Sequence, residues 1–308
     1  MDWYQHKGTA PRNARRRLPS MPTVYPSTSS PLDSPNNPPS SIEWNDDWAD
    51  EPTLLQAIRH QGGLPSLVTL TIPVGSKTLK EFFILLSLCP NLRELTVKPR
   101  EYDEIYECTL APTDAWAWGA LVPSLQYVTA PALLIGKLVP GRAVHTIGII
   151  QEEREDSDVM LRHNLDALRG SALSKAAVEN LVLEDIAVPF MRPLLMKVAE
   201  TLPALKTLCL GTDAMDDTND PDEKYQLGMI PDEIYENVLE DVAQGVIRLP
   251  TTLTVLEMTH HSAFMLDYDP ISDHGINRNA FPNLREITYG VDAQQKRLTW
   301  SEKLLAWV

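Results

Sequence analysis

The sequence predicts an α/β fold: an irregular leucine-rich-repeat solenoid, with a parallel β-sheet on its concave face and helices on its convex face. Three observations lead there. The pattern L-P-x-L-x-x-L-x followed by an apolar residue recurs eight times, in full or worn form. Self-similarity of this kind marks repeat architectures, in which each unit buries its apolar side only against its neighbours. Apolar positions within each copy alternate as strand residues do, and the segments between copies carry helical periodicity.

The full copies are LPSLVTLTI from Leu64, CPNLRELTV from Cys89, VPSLQYVTA from Val122, LPALKTLCL from Leu202 and FPNLREITY from Phe281. Looser copies are Ala143 to Ile149, Ala177 to Leu183 and Thr252 to Met258. In LVTLTI, Leu70 and Ile72 point the same way, into a core. The leading Leu-Pro closes the preceding helix, because proline cannot continue the helical ladder and restricts the residue before it. Taking the first strand apolar residue as marker (Leu67, Leu92, Leu125, Val144, Val178, Leu205, Leu253, Leu284), the spacing runs from 19 to 48 residues. Regular leucine-rich repeats span about 20–29, so several units carry insertions and the shortest has room only for a brief return segment.

Parallel strands need a crossover, usually a helix. Pro52 to His60, Thr78 to Ser87, Pro189 to Thr201 and Pro231 to Arg248 suit that role. In the last, Ile234, Val238, Val242 and Val246 form an apolar stripe, and Pro231 with Asp232 and Glu233 match helix-start preferences. Acidic runs at Glu101 to Glu107, Glu152 to Asp158 and Asp213 to Glu223 read as exposed loops.

The chain divides into a Pro/Ser-rich tail over residues 1–50 and a repeat region over 51–308. The tail holds eight of the 25 prolines and too little apolar surface to offset the entropy of ordering, so it reads as disordered. Arg12 with Arg15 to Arg17 suggests a nuclear-import signal, and Ser30-Pro31 and Ser34-Pro35 suggest proline-directed phosphorylation, which phosphopeptide mapping tests. Glu43 to Glu51 reads as a docking motif or, in preference, as the cap of the first repeat, with Trp44 and Trp48 on one helical face. The closing SEKLLAWV reads as a terminal cap, with Leu304, Leu305 and Trp307 packed on the last strand, or as a sign of truncation.

A net charge of -15 argues against nucleic-acid binding, which needs a Lys/Arg surplus, and leaves room for a basic partner. Cys89, Cys108 and Cys209 are neither a disulfide framework nor a zinc motif; Cys89 and Cys209 read as small packing residues in a reducing compartment. The longest apolar run, Phe82 to Leu86, is far shorter than the ~20 residues a bilayer requires. With no signal-peptide pattern at the start, the expected location is cytoplasmic or nuclear.

No catalytic or nucleotide-binding fingerprint is present, and no cofactor or metal site is expected. His260 and His261 would point to opposite strand faces, and the acidic stretch after Asp213 lacks the order of a calcium loop. The residues between the core positions line the concave face. One row is Thr71, Thr96, Thr129, Gly148, Val182, Cys209, Glu257 and Thr288. The other is Thr69, Glu94, Tyr127, Thr146, Asn180, Thr207, Val255 and Glu286. Of these, Glu94, Tyr127, Glu257 and Glu286 are the candidate partner contacts.

The phrases LPSLVTLTIP, LCPNLRELTV, KLVPGRAVHTIGI and AFPNLREITYG resemble the leucine-rich region of fungal, basidiomycete-type F-box proteins, over residues 52 to 300. The resemblance implies a substrate receptor of a cullin-type ubiquitin ligase, whose repeats hold the target. No F-box is detectable: Leu18-Pro19 is followed by proline-rich sequence where that motif has helices. The expected function is a non-enzymatic protein-interaction scaffold with a protein partner on the concave face. The rivals are a hydrolase-like enzyme assembled from loops around His145 or His260, and a truncated paralogue without a partner.

Overall fold

Alternation of buried and half-buried residues marks most strands, as in Thr69–Val74, where Leu70 and Ile72 are fully buried and Thr69 and Thr71 are not. The computed structural model describes residues 39–44, 52–100, 121–151, 157–213, 231–261, 271, 275–291, 295–304 and 306–308. Over these it is a mixed α/β fold with one long, mostly parallel sheet. The strands are β1 (Ser41–Glu43), β2 (Thr69–Val74), β3 (Glu94–Pro99), β4 (Tyr127–Pro131), β5 (Thr146–Ile150), β6 (Asn180–Ala187), β7 (Thr207–Asp213), β8 (Val255–His261), β9 (Glu286–Val291), β10 (Lys296–Ser301) and β11 (Ala306–Trp307). Each pairs with the next in chain order. β1 to β9 are parallel; β10 and β11 return antiparallel.

Register is continuous. Leu70, Leu95, Val128, Ile147, Leu181, Leu208, Leu256 and Ile287 are successive Cα partners, and all are buried. A one-residue slip anywhere would turn a strand's apolar set outward. Backbone bonds fix the entry to each strand: the Val68 carbonyl accepts from Arg93 N and Glu94 N at 2.8 and 3.0 Å. The carbonyls of Arg93, Gln126, His145, Glu179, Lys206 and Thr254 repeat this with the next strand. The Pro-Asn turns add side-chain ties, Asn91 Nδ2 donating to the Pro65 carbonyl at 2.7 Å and Asn283 Nδ2 to that of Thr251 at 2.8 Å.

The helices are α1 (Pro52–His60), α2 (Leu79–Ser87), α3 (Ala132–Leu138), α4 (Ser157–Ser171), α5 (Met191–Thr201) and α6 (Pro231–Gln244). Phe82, Leu134, Leu195 and Leu239 join the inward strand residues in one core. Burying this many apolar side chains, at about 1.5–3 kcal/mol each, is the main force holding the fold. The return segments over 52–60, 78–87 and 189–201 match expectation, those of α2 and α5 opening as short 3-10 turns. Among the described residues no helix is long and apolar enough to cross a membrane.

Several expectations need correction. Helix α6 stops at Gln244 rather than Arg248, because Gly245 adopts φ +74° and directs Val246 N back to the Asp241 carbonyl at 2.8 Å. This is a glycine C-terminal cap, and it leaves Val246 61% exposed, off the apolar stripe. Helices α3 and α4 were not anticipated; α4 begins at Ser157, inside a run read as an acidic loop. The tail was expected to lack structure to residue 50, yet Ser41–Glu43 pairs with β2, because Ile42 reaches the core beside Leu70. Trp44 follows that strand, its backbone N–H donating to the Thr71 carbonyl at 2.9 Å, so it is not on a helix; Trp48 lies outside the described residues. At the other end Trp307 packs on the core, but Leu304 is 63% exposed because it sits in the turn between β10 and β11. Leu305's side chain, the basic cluster, both Ser-Pro sites, Cys108, Glu101 to Glu107, residues 152–156 and 214–223 lie outside the described residues.

Candidate functional site

Sheets covered on both faces read as continuous Val/Ile/Leu runs. Here the rows alternating with the core are mostly polar. Thr69, Glu94, Tyr127, Thr146, Asn180, Thr207, Val255 and Glu286 are successive Cα partners, and so are Thr71, Thr96, Thr129, Gly148, Val182, Cys209, Glu257 and Thr288. Apart from exposed Tyr127 and buried Gly148, these residues are half-buried. Both rows coincide residue for residue with those read from the sequence.

The four candidate contacts fall into two groups. Glu94 and Tyr127 are direct partners on β3 and β4. Glu257 and Glu286 are diagonal neighbours on β8 and β9, since Glu286 pairs with Val255 and Glu257 with Thr288. Between Tyr127 and Glu257 lie four strand spacings of about 4.8 Å, or roughly 19 Å. No single small ligand is held by all four.

Each group is held by neighbours. Glu94 Oε2 accepts from the Thr69 hydroxyl at 3.2 Å. The Tyr127 ring meets that of His145 edge-on, with centroids 4.4 Å apart. His145 Nδ1 lies 3.2 Å from Thr146 Oγ1, which also accepts from Asn180 Nδ2 at 3.1 Å. In the second group Glu286 pairs with Arg297 of β10 at 2.7 Å, and this carboxylate holds the guanidinium above its ordinary pKa. The Cys209 thiol lies 3.8 Å from Glu257 Oε2. Burial first, and then the Glu257 carboxylate, push that thiol up to about 12. Cys209 is therefore a protonated donor on this face rather than a nucleophile, which requires a thiolate. Cys89 is fully buried, and burial also pushes it up to about 12.

Sequence reasoning missed the supports: His145 behind Tyr127, Arg297 across from Glu286, and an irregularity in β6. There the register shifts between Leu183 and Ile186, and Asp185 has φ +57°. A bulge of this kind re-aims side chains, and it leaves Asp185 exposed. The period-2 alternation of Lys296 to Ser301 was the available signal for Arg297.

His260 is fully buried, stacked on Tyr235 with centroids 5.1 Å apart, and its Nδ1 is 2.9 Å from Thr212 Oγ1. Among the described residues no group of three or more His, Cys, Asp or Glu is arranged to hold a metal ion. No family model matches the chain, and no curated protein matches it.

Proposed function

We propose that this chain is a non-enzymatic protein-interaction scaffold, an irregular leucine-rich-repeat solenoid whose concave side is formed by the two polar rows. The observation that carries this reading is their register. Eight strands present Thr, Glu, Tyr and Asn side chains in continuous rows opposite a fully apolar set. A sheet with one apolar and one polar face is built to meet water or a partner on the polar side. Preformed side chains such as Glu94 and Tyr127 reduce the ordering cost of association.

The more specific version is a substrate-recognition subunit similar to F-box/leucine-rich-repeat ubiquitin-ligase receptors, and it rests on the sequence resemblance. Affinity purification of the chain and of a Thr96→Arg variant, which places a long cation in the middle of the face, tests both levels. The scaffold reading expects a reproducible partner that the variant loses; identical recovery with both chains speaks against it. Co-purification of a ligase adaptor and cullin supports the receptor version, and a clean preparation without them removes it.

A further inference from the structure

Charges on this face and at its rim are compensated unevenly. Glu43 is held by Lys98 at 2.9 Å, Glu179 by Lys206 at 2.6 Å and Glu286 by Arg297 at 2.7 Å. Glu94 and Glu257 instead make their side-chain hydrogen bonds with neutral donors, the Thr69 hydroxyl and the Cys209 thiol, and Glu257 shares the field of Arg297 with Glu286. Neutral donors orient a carboxylate without cancelling its charge. Beside Glu94, one strand spacing away, stands Tyr127, the one large aromatic among the exposed hydrophobic residues of the described set. His145 meets it edge-on and limits its ring orientations. A carboxylate next to an aromatic ring offers a planar cation both a charge-assisted hydrogen bond and a π face.

We propose that Glu94 and Tyr127 together seat an arginine side chain of the protein partner, and that the partner's contact segment is basic, with a second cation meeting Glu257. This rests on reading the polar rows as the binding surface. Arginine fits better than lysine, because its flat guanidinium stacks on a ring while its N–H groups fork onto a carboxylate. Glu94 and Glu257 are five strands apart, about 24 Å, a distance that roughly seven residues of extended chain span. The partner segment therefore crosses the strands with basic residues about seven positions apart. Arg93 and Arg285, each one residue before Glu94 and Glu286 at the rim, would repel a cation displaced toward the turns, and so define where on the face it sits.

The test uses the full chain and a fluorescein-labelled Gly/Ser peptide carrying arginines at that spacing, with a glutamate-for-arginine peptide as control, read by anisotropy. The arginine peptide is expected to bind and the glutamate peptide not. Glu94→Gln and Tyr127→Leu should each weaken binding about tenfold, the scale of one charge-assisted contact. Glu200→Gln, which removes the same charge from exposed α5, should leave it unchanged. Circular dichroism melts of each variant establish that folding is intact. Equal weakening by Glu200→Gln would show attraction to net charge alone and overturn the proposal, as would a lack of arginine-dependent binding. A partner that Thr96→Arg displaces, but whose contact segment is neutral or acidic, sinks this inference while leaving the scaffold reading standing.

Discussion

Gly136 of α3 and Gly170 of α4 meet across the helix layer, and they are not equivalent. A Cβ on Gly170 would lie 3.0 Å from Gly136 Cα and 3.2 Å from its carbonyl oxygen, both backbone atoms. A Cβ on Gly136 would meet nothing nearer than the Asp166 carbonyl oxygen at 3.8 Å. Alanine within a helix gains up to about 1 kcal/mol over glycine, but forced overpacking costs about 1–3 kcal/mol. Gly170→Ala is therefore expected to destabilise by up to about 2 kcal/mol, while Gly136→Ala is neutral or stabilising. Urea unfolding of both variants reads the opposite signs.

Arg142, only 1% exposed, ties the end of α3 to its surroundings. Its Nε donates to the Leu121 carbonyl at 2.8 Å, and Nη1 to those of Leu138 at 2.7 Å and Pro140 at 3.2 Å. Burial pulls its pKa down from the ordinary arginine value, yet the carbonyl cage keeps donors where the helix end needs them. Arg142→Lys is expected to cost about 2–4 kcal/mol, because one ammonium cannot reach carbonyls on separate sides of the fork. An unfolding midpoint unchanged by this substitution would remove the assigned role.

Cys89 and Cys209 make stability depend on alkaline pH. Both thiols are raised from 9.0 to about 12 in the folded chain. A raised folded value means the folded state keeps its proton where the unfolded chain loses it. Their contribution is fully present below pH 9 and is lost as pH rises toward about 12. Stability should fall over that window, and Cys89→Ala should flatten the fall even though the cavity lowers stability at neutral pH. Iodoacetamide at pH 7.5 should modify neither thiol until the chain unfolds.

Tyr235 links α6 to two strands. Its hydroxyl donates to the Met258 carbonyl at 2.6 Å and accepts from Gly290 N at 3.0 Å. Tyr235→Phe removes both bonds from buried backbone groups, at an expected cost of about 1–3 kcal/mol. Hydrogen exchange at the Gly290 amide should quicken in step.

Legibility in the sequence followed the strength of the periodic signal. Leu70, Leu95 and their partners were readable because a period of two leaves little choice of register, and both polar rows followed from it. Helix α3 was not readable: Ala132 to Leu138 is short and apolar on most sides, which does not separate helix from buried strand. Strand β1 was hidden by its Pro/Ser surroundings, since three residues carry no pattern. Arg142 was not readable as a buried residue, because nothing local says that an arginine is buried; its carbonyl partners come from the α3 end and Leu121. At the face, the candidate contacts were readable as positions. Their pairing with His145, Thr69, Cys209 and Arg297 was not, because it depends on which strands lie side by side.

Site-specific photo-cross-linking reports which surface of the protein meets a partner. A photoreactive amino acid placed at Thr96 or Thr288 sits on the polar rows; one placed at Glu200 sits on α5. If the polar rows hold the partner, one and the same protein is captured from Thr96 and Thr288 and not from Glu200. Capture from Glu200 with none from the two face positions would contradict that reading.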